Sequence, residues 1–125
     1  MSIIDGLNKY LTEMTSNSRG IISVTVVSIA DGNVIGYRSQ NPDVDNRLSA
    51  SFQIEVMRQI SRGLNYVDNI KSKEVKDLVV TLEEQIHLAF VSASKEYVIH
   101  IIADTKEANE GLVKMLHAKY VPLLN

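Results

Sequence analysis

The chain has 125 residues, of which 45% are hydrophobic and 22% are charged. This length predicts one domain, residues 1–125, and this composition is typical of a folded globular protein rather than a disordered one. Thirteen Lys and Arg residues oppose fifteen Asp and Glu residues, and the net charge of −2 gives no general attraction to nucleic acid or to anionic membranes. The absence of cysteine excludes disulfides, thiolate metal sites and a cysteine nucleophile.

The first residues do not have the pattern of a secretory signal. Asp5 interrupts the first apolar residues, and no basic segment precedes them. The longest apolar run, residues 97–103, is far shorter than the roughly 18–20 residues that span a bilayer. We therefore expect a cytoplasmic protein that does not insert into membranes.

The first third of the chain predicts a helix followed by a hairpin. Residues 3–14 carry apolar side chains at spacings of three and four, which is typical of an amphipathic helix. Residues 21–29 are rich in β-branched side chains and predict a strand. Asp31-Gly32 predicts a two-residue type I′ turn into a return strand at 33–39. Gly36 within that strand indicates a bulge or a close backbone approach.

The middle helix, predicted at about 46–64, has more apolar surface than one sheet face can cover. On a helical wheel its apolar positions span roughly 240°, whereas a surface helix needs a stripe of little more than 100°. The helix therefore lies between two layers or packs on a second copy of the chain. With only three predicted helices, self-association is the more economical interpretation. The apolar positions are Leu48, Ala50, Phe52, Ile54, Val56, Met57, Ile60 and Leu64.

The second half of the chain predicts three strands and a helix. A polar connector at 65–76 leads to strands at 77–82, 85–93 and 97–103, which are joined by short turns. Asp104 followed by Glu107 resembles a capping box that opens the last helix, and Pro122 marks the end of that helix. The element order is αββαβββα. The fold class is therefore α+β, with a five-stranded, mainly antiparallel sheet, the terminal helices on one face and the middle helix on the other.

Motifs for catalysis or for metal binding are missing from the sequence. It contains no phosphate-binding glycine loop and no nucleophile elbow. His87 and His100 lie on neighbouring predicted strands and could approach each other, but no carboxylate is close to them in sequence. Glu83-Glu84 predicts a solvated turn, because adjacent strand residues point to opposite faces. We expect neither catalytic residues nor a metal or cofactor.

One side of the middle helix has a basic edge. Helical spacing places Arg47, Arg58 and Arg62 together, with Glu55 beside them. Such an edge is either solvated or a protein-binding surface. Nucleic-acid binding is disfavoured, because the net charge is negative and no aromatic side chain interleaves with the arginines.

The sequence resembles the roadblock/dynein light chain family, and within it the bacterial and archaeal MglB-like proteins. The resemblance depends on Gly20 before the first strand, on Val26-Val27-Ser28 leading to Asp31-Gly32-Asn33, and on Leu48-Ser49-Ala50 at the start of the middle helix. The strand at 98–103 and the terminal helix also match.

The resemblance implies a profilin-like layering and a homodimer, or a heterodimer with a related chain. In this family the middle helices pair and the sheets join edge to edge through the third strand. The resemblance also implies a protein without chemistry of its own. Family members bind Ras-like small GTPases, sometimes promoting nucleotide hydrolysis, or serve as scaffolds in motor and signalling complexes.

The leading hypothesis is therefore a non-catalytic homodimeric regulator of a Ras-like small GTPase. Alternatives are a nucleotide-independent structural adaptor and a small-molecule sensor, for which Thr25, His87 and His100 are the polar side chains on interior strands. Candidate partner contacts are Arg47, Ser51, Glu55, Arg58 and Arg62. Candidate dimer contacts are Leu48, Phe52, Ile54, Val56, Met57, Ile60, Leu78 and Val80. Whether Leu48, Phe52, Val56 and Ile60 face a dimer mate or the sheet stays open.

Overall fold

The elements follow the predicted order αββαβββα in a computed structural model that describes residues 3–72 and 74–124. Among these residues, no helix is both long enough and apolar enough to cross a lipid bilayer. The elements are α1 (Ile3–Ser16), β1 (Ile21–Ser28), β2 (Val34–Ser39), α2 (Asn46–Leu64), β3 (Asp77–Thr81), β4 (Gln85–Val91), β5 (Tyr97–Asp104) and α3 (Glu110–Tyr120), followed by a 3₁₀ turn at Val121–Leu124.

The five strands form one sheet in the order β2-β1-β5-β4-β3. Every neighbouring pair is antiparallel, which confirms the α+β class. Strands β1 and β5 lie at the centre and are buried almost throughout, because helices cover both of their faces. The two edges of the sheet are β2 and β3.

The terminal helices cover one face of the sheet and build the main core. Tyr10 and Met14 of α1 are fully buried, as are Val24 of β1 and Ile101 of β5, which are paired in the sheet. The apolar stripe at spacings of three and four therefore faces the sheet as predicted. Helix α3 completes this layer through Val113 and Leu116.

Helix α2 covers part of the opposite face, which confirms the predicted layering. It begins at the N-cap Asp45, whose side chain accepts a hydrogen bond from the Leu48 amide at 3.0 Å. Ala50 and Ile54 pack with Val27 of β1. The helix lies over β1, β2 and β5.

The first hairpin forms, but its turn is longer than predicted. Strand β1 ends at Ser28 and β2 begins at Val34, so five residues connect them. Within residues 29–33 only Gly32 has a positive φ, at 73°, whereas a type I′ turn needs positive φ at both central residues. The Asp31 carboxylate instead accepts a hydrogen bond from the Asn33 amide at 3.0 Å. The prediction of a two-residue turn is wrong, because this side-chain contact stabilises a wider loop.

The last helix starts later than the Asp104 motif predicts. Its N-cap is Asn109, whose side chain accepts from the Leu112 amide at 2.8 Å. Asp104 ends β5, and its carboxylate accepts from the Lys106 amide at 2.9 Å. The Asp104–Glu107 motif is therefore a turn rather than a capping box. An aspartate side chain can accept a hydrogen bond from a backbone amide in a turn as well as at the start of a helix.

Two glycines permit close packing of α1. A Cβ on Gly36 would lie 2.6 Å from Leu7 Cδ2, and the β1–β2 register shifts between Val26 and Val27. Both alternatives suggested for Gly36, a bulge and a close approach, are therefore confirmed. Gly6 lies directly against the carbonyl of Leu123, where a Cβ would overlap the backbone.

Candidate functional site

An apolar row runs along the outer side of α2. Leu48 and Phe52 are 68% and 61% exposed, and Val56 and Ile60 are half-buried. Because these residues recur every fourth position, they form one continuous row on the helix surface. We call Leu48, Phe52, Val56 and Ile60 the apolar row. Large apolar side chains exposed side by side mark an interaction surface.

A polar edge lies next to the apolar row. Its five members, predicted as partner contacts, are all exposed. A 3.6 Å ion pair joins Arg58 Nη1 to Glu55 Oε2, with both side chains more than half exposed, so it contributes little to stability. The edge carries three arginines and one glutamate and is basic. We call these residues the arginine edge: Arg47, Ser51, Glu55, Arg58 and Arg62.

The residues predicted as dimer contacts are placed in three different environments. Leu48 and Phe52 of the apolar row are exposed to solvent, whereas Val56 and Ile60 are half-buried. Ile54 and Met57 differ from the expectation, because they are only 7% and 8% exposed and pack against the sheet of their own chain. Leu78 and Val80 are half-buried on the edge strand β3. The wide apolar arc of α2 is thus divided between its own sheet and an outward surface.

Strand β3 offers a free sheet edge. It pairs with β4, with Leu78 opposite Ala89 and Val80 opposite His87. Within the described part of the chain, no strand pairs with its other side. An unpaired edge presents backbone donors and acceptors that can pair with another strand.

A layer of buried polar side chains lies beneath α2. The Asn46 Nδ2 group donates to Ser23 Oγ and to Thr25 Oγ1, each at 2.7 Å. Gln53, two turns further along the helix, is 1% exposed. Of these residues, only Thr25 was identified from the sequence. The available signal was the spacing of seven between Asn46 and Gln53, which places both on the sheet-facing side.

The two strand histidines meet in the same layer. His87 Nδ1 lies 3.2 Å from His100 Nε2, and His87 Nε2 lies 3.0 Å from Gln85 Oε1. An amide oxygen only accepts, so His87 Nε2 carries its proton and His87 Nδ1 accepts from His100 Nε2–H. His100 Nδ1 then has no hydrogen-bond partner among the described residues. The histidines approach each other as the sequence suggested.

Burial keeps this histidine pair neutral. It lowers the pKa of His100 to about 3, and the neighbouring His87 acts in the same direction. Burial also lowers the pKa of His87. Within residues 3–72 and 74–124, no three His, Cys, Asp or Glu side chains are grouped as a metal site would require. Both shifts favour the neutral form of each ring.

Comparisons with known proteins assign the fold. No protein-family model matches the sequence, and no curated protein matches it. Solved structures do match. Myxococcus xanthus MglB has a TM-score of 0.78 at 18% identity, over 95% of this chain and 84% of that one. The gliding protein MglB from Thermus thermophilus has 0.80 at 12% identity, over 99% and 89%. A Roadblock/LC7 domain from Streptomyces avermitilis has 0.68 at 16% identity, over 93% and 89%.

Proposed function

Starting from the roadblock/MglB fold that this chain shares with those structures, we propose that the protein is a non-catalytic, cytoplasmic homodimeric regulator or scaffold that binds a Ras-like small GTPase. The observation that carries this proposal is the position of the apolar row beside the arginine edge on one helix. The apolar row is suited to contact a second copy of the chain. The arginine edge is suited to contact a polar partner.

The apolar row supports the dimer. It extends about 18 Å along α2, from Leu48 to Ile60, at a rise of 1.5 Å per residue. A second copy presents an identical row, and a two-fold axis between the two helices would bring each row against the other. Pairing of the β3 edges would then satisfy the free backbone groups of both sheets. Ile54 and Met57 contribute indirectly, by fixing α2 on its own sheet.

The arginine edge supports the binding of a partner. In a dimer built on the apolar row, the polar edges of the two α2 helices would lie on one surface, where their cations would attract an acidic region of the GTPase. An arginine supplied in trans can stabilise the charge that develops in phosphoryl transfer. We assign Arg58 and Arg62 to binding, and any stimulation of GTP hydrolysis to positioning of the GTPase's own residues.

The dimer is tested by its mass in solution. We expect the wild-type protein to elute as a dimer in size-exclusion chromatography with light scattering. Phe52→Glu places a charge in the middle of the row and should give a folded monomer. Met115→Glu is the matched control, since Met115 is an exposed apolar side chain on α3 at 59%. A monomeric wild type, or a Phe52→Glu variant that remains dimeric, would remove the dimer from the proposal.

Partner binding is tested by affinity capture from a lysate of the source organism loaded with GDP or with a non-hydrolysable GTP analogue. Recovery of a Ras-like GTPase in one nucleotide state supports the proposal. The Arg58→Ala/Arg62→Ala variant should lose it, whereas Lys9→Ala/Lys106→Ala, with the same loss of exposed charge elsewhere, should keep it. Recovery of the same non-GTPase partners with both nucleotides would indicate a structural adaptor instead.

A further inference from the structure

A groove lies between the second half of α2, the connector before β3 and the turn between β4 and β5. Its volume is about 790 Å³. Its apolar lining includes Met57 from the helix, Val75 from the connector, and Val91 and Val98 from the two strands. These side chains are buried or half-buried in the chain itself. The groove therefore offers an apolar floor that is formed before any partner arrives.

Charged side chains surround this floor, and their signs are unbalanced. The groove is lined by one acidic side chain, Glu74, and by four basic ones: Arg58, Arg62, Lys76 and Lys95. Glu74 is already engaged, because its Oε2 lies 2.7 Å from Lys95 Nζ. Among the described residues, neither Arg62 nor Lys76 takes part in an ion pair. A chain with a net charge of −2 therefore concentrates cations around its apolar groove.

We propose that this groove binds an acidic amphipathic segment of a partner protein. An apolar side chain of the segment would rest on Met57 and Val98, and its carboxylates would face Arg62 and Lys76. Charge complementarity selects an acidic ligand. The groove is open along one side, so a free acyl chain would remain partly in water. A protein segment covers that side with its own structure, which favours a protein ligand over a lipid.

This site is separable from the proposed dimer and GTPase surface. Lys76 and Lys95 lie outside the arginine edge, and Leu48 and Phe52 lie outside the groove. Of the apolar row and the arginine edge, only Arg58 and Arg62 also line the groove, and the candidate dimer contacts Ile54 and Met57 lie in its floor. Variants of Lys76 and Lys95 therefore test the groove without changing the residues on which the proposed function depends.

The probe is a synthetic amphipathic peptide with leucines on one face and glutamates on the other, titrated into the ¹⁵N-labelled full-length protein. We expect amide shifts at Met57, Val75 and Val98 that weaken as salt is added. Lys76→Glu/Lys95→Glu should lower the affinity about tenfold. The matched variant Lys9→Glu/Lys106→Glu should leave it unchanged, because both lysines are exposed elsewhere.

Four results would overturn the proposal. One is the absence of shifts, and another is a set of shifts confined to the apolar row. The third is equal binding of the same peptide with lysines in place of glutamates. A parallel titration with dodecanoate tests the lipid ligand, and tighter binding of dodecanoate than of the peptide would also overturn it. Loss of peptide binding in the lysine variant with normal dimerisation would show that the groove and the dimer surface are distinct.

Discussion

His100 donates from Nε2 to Nδ1 of His87 over 3.2 Å, so two imidazoles on neighbouring strands form one directional hydrogen bond beneath α2. The arrangement needs His87 neutral, because a protonated His87 would present a donor at Nδ1 to the Nε2–H donor of His100. The partner of His87 on its other side, Gln85, only accepts at Oε1. This hydrogen bond between β4 and β5 therefore depends on the protonation state of His87.

The free energy of unfolding should fall as the pH drops below about 6.5. Burial lowers the pKa of His100 to about 3 and that of His117 to about 4. At pH values between these pKa values and 6.5, the unfolded chain binds protons that the folded chain does not bind. Acidification over this range therefore favours unfolding. Each such histidine contributes at most about 1.4 kcal/mol per pH unit. Urea denaturation at pH 7.5 and pH 5 measures the effect, and stability is fully retained above the unfolded-state pKa.

The His100→Gln variant is the control for this pH dependence. It removes one titrating ring, so its stability should fall less steeply between pH 6.5 and pH 5 than that of the wild type. The variant will be less stable at neutral pH because the buried contact with His87 is altered. Identical slopes in the two proteins would contradict the assignment of the pH dependence to His100.

Asn46→Ala should destabilise the protein by about 2–4 kcal/mol. The substitution removes both donors to Ser23 and Thr25, and leaves two hydroxyls that are 1% exposed without that partner. Thermal unfolding followed by circular dichroism measures the loss. Gln59→Ala on the exposed side of α2 is the control and should change stability little. Equal melting temperatures for the two variants would show that the polar layer contributes nothing.

Gly6→Ala and Gly63→Ala should have opposite effects on stability. A methyl group at Gly6 would overlap the Leu123 carbonyl, so backbone must move, at a cost of about 1–3 kcal/mol or more. Gly63 lies in α2 with open space around it, and alanine there should stabilise the helix by up to about 1 kcal/mol. Chemical denaturation of both variants checks the pair. Equal stability of the Gly6→Ala and Gly63→Ala variants would contradict this prediction. It would mean that the 3₁₀ turn containing Leu123 can move away from α1 at little energetic cost.

Most of the architecture follows from local patterns in the sequence. The sequence predicts the middle helix at about 46–64, and α2 spans Asn46–Leu64, because its apolar spacing and the cap at Asp45 act together. The layering follows from the apolar character of both faces of the central strands. The pairing of β1 with β5 does not follow from local patterns, because α2, β3 and β4 separate these strands in sequence. The start of α3 was misplaced, because Asp104 and Asn109 are both good cap residues and only packing decides between them.

The candidate site was harder to predict than the fold. The wheel shows that α2 has excess apolar surface, but it does not say which part meets the sheet. Placement of Ile54 and Met57 inside, and of Leu48 and Phe52 outside, depends on the angle at which the helix crosses the strands. The sequence does not predict the groove, because Met57, Val75 and Lys95 are far apart in sequence and only the tertiary fold brings them together.

The contact between Gly6 and Leu123 has a consequence for synthesis on the ribosome. Helix α1 is translated before two of its partners, because Gly6 contacts Leu123 and Tyr10 hydrogen-bonds to His117 across a sequence separation of 107. Until those residues have been translated, α1 lacks part of the surface that covers it. Contacts over such a separation close large loops and form slowly. Until His117 and Leu123 have been translated, part of the apolar side of α1 is therefore exposed on the nascent chain, and chaperones that bind apolar segments would have access to it.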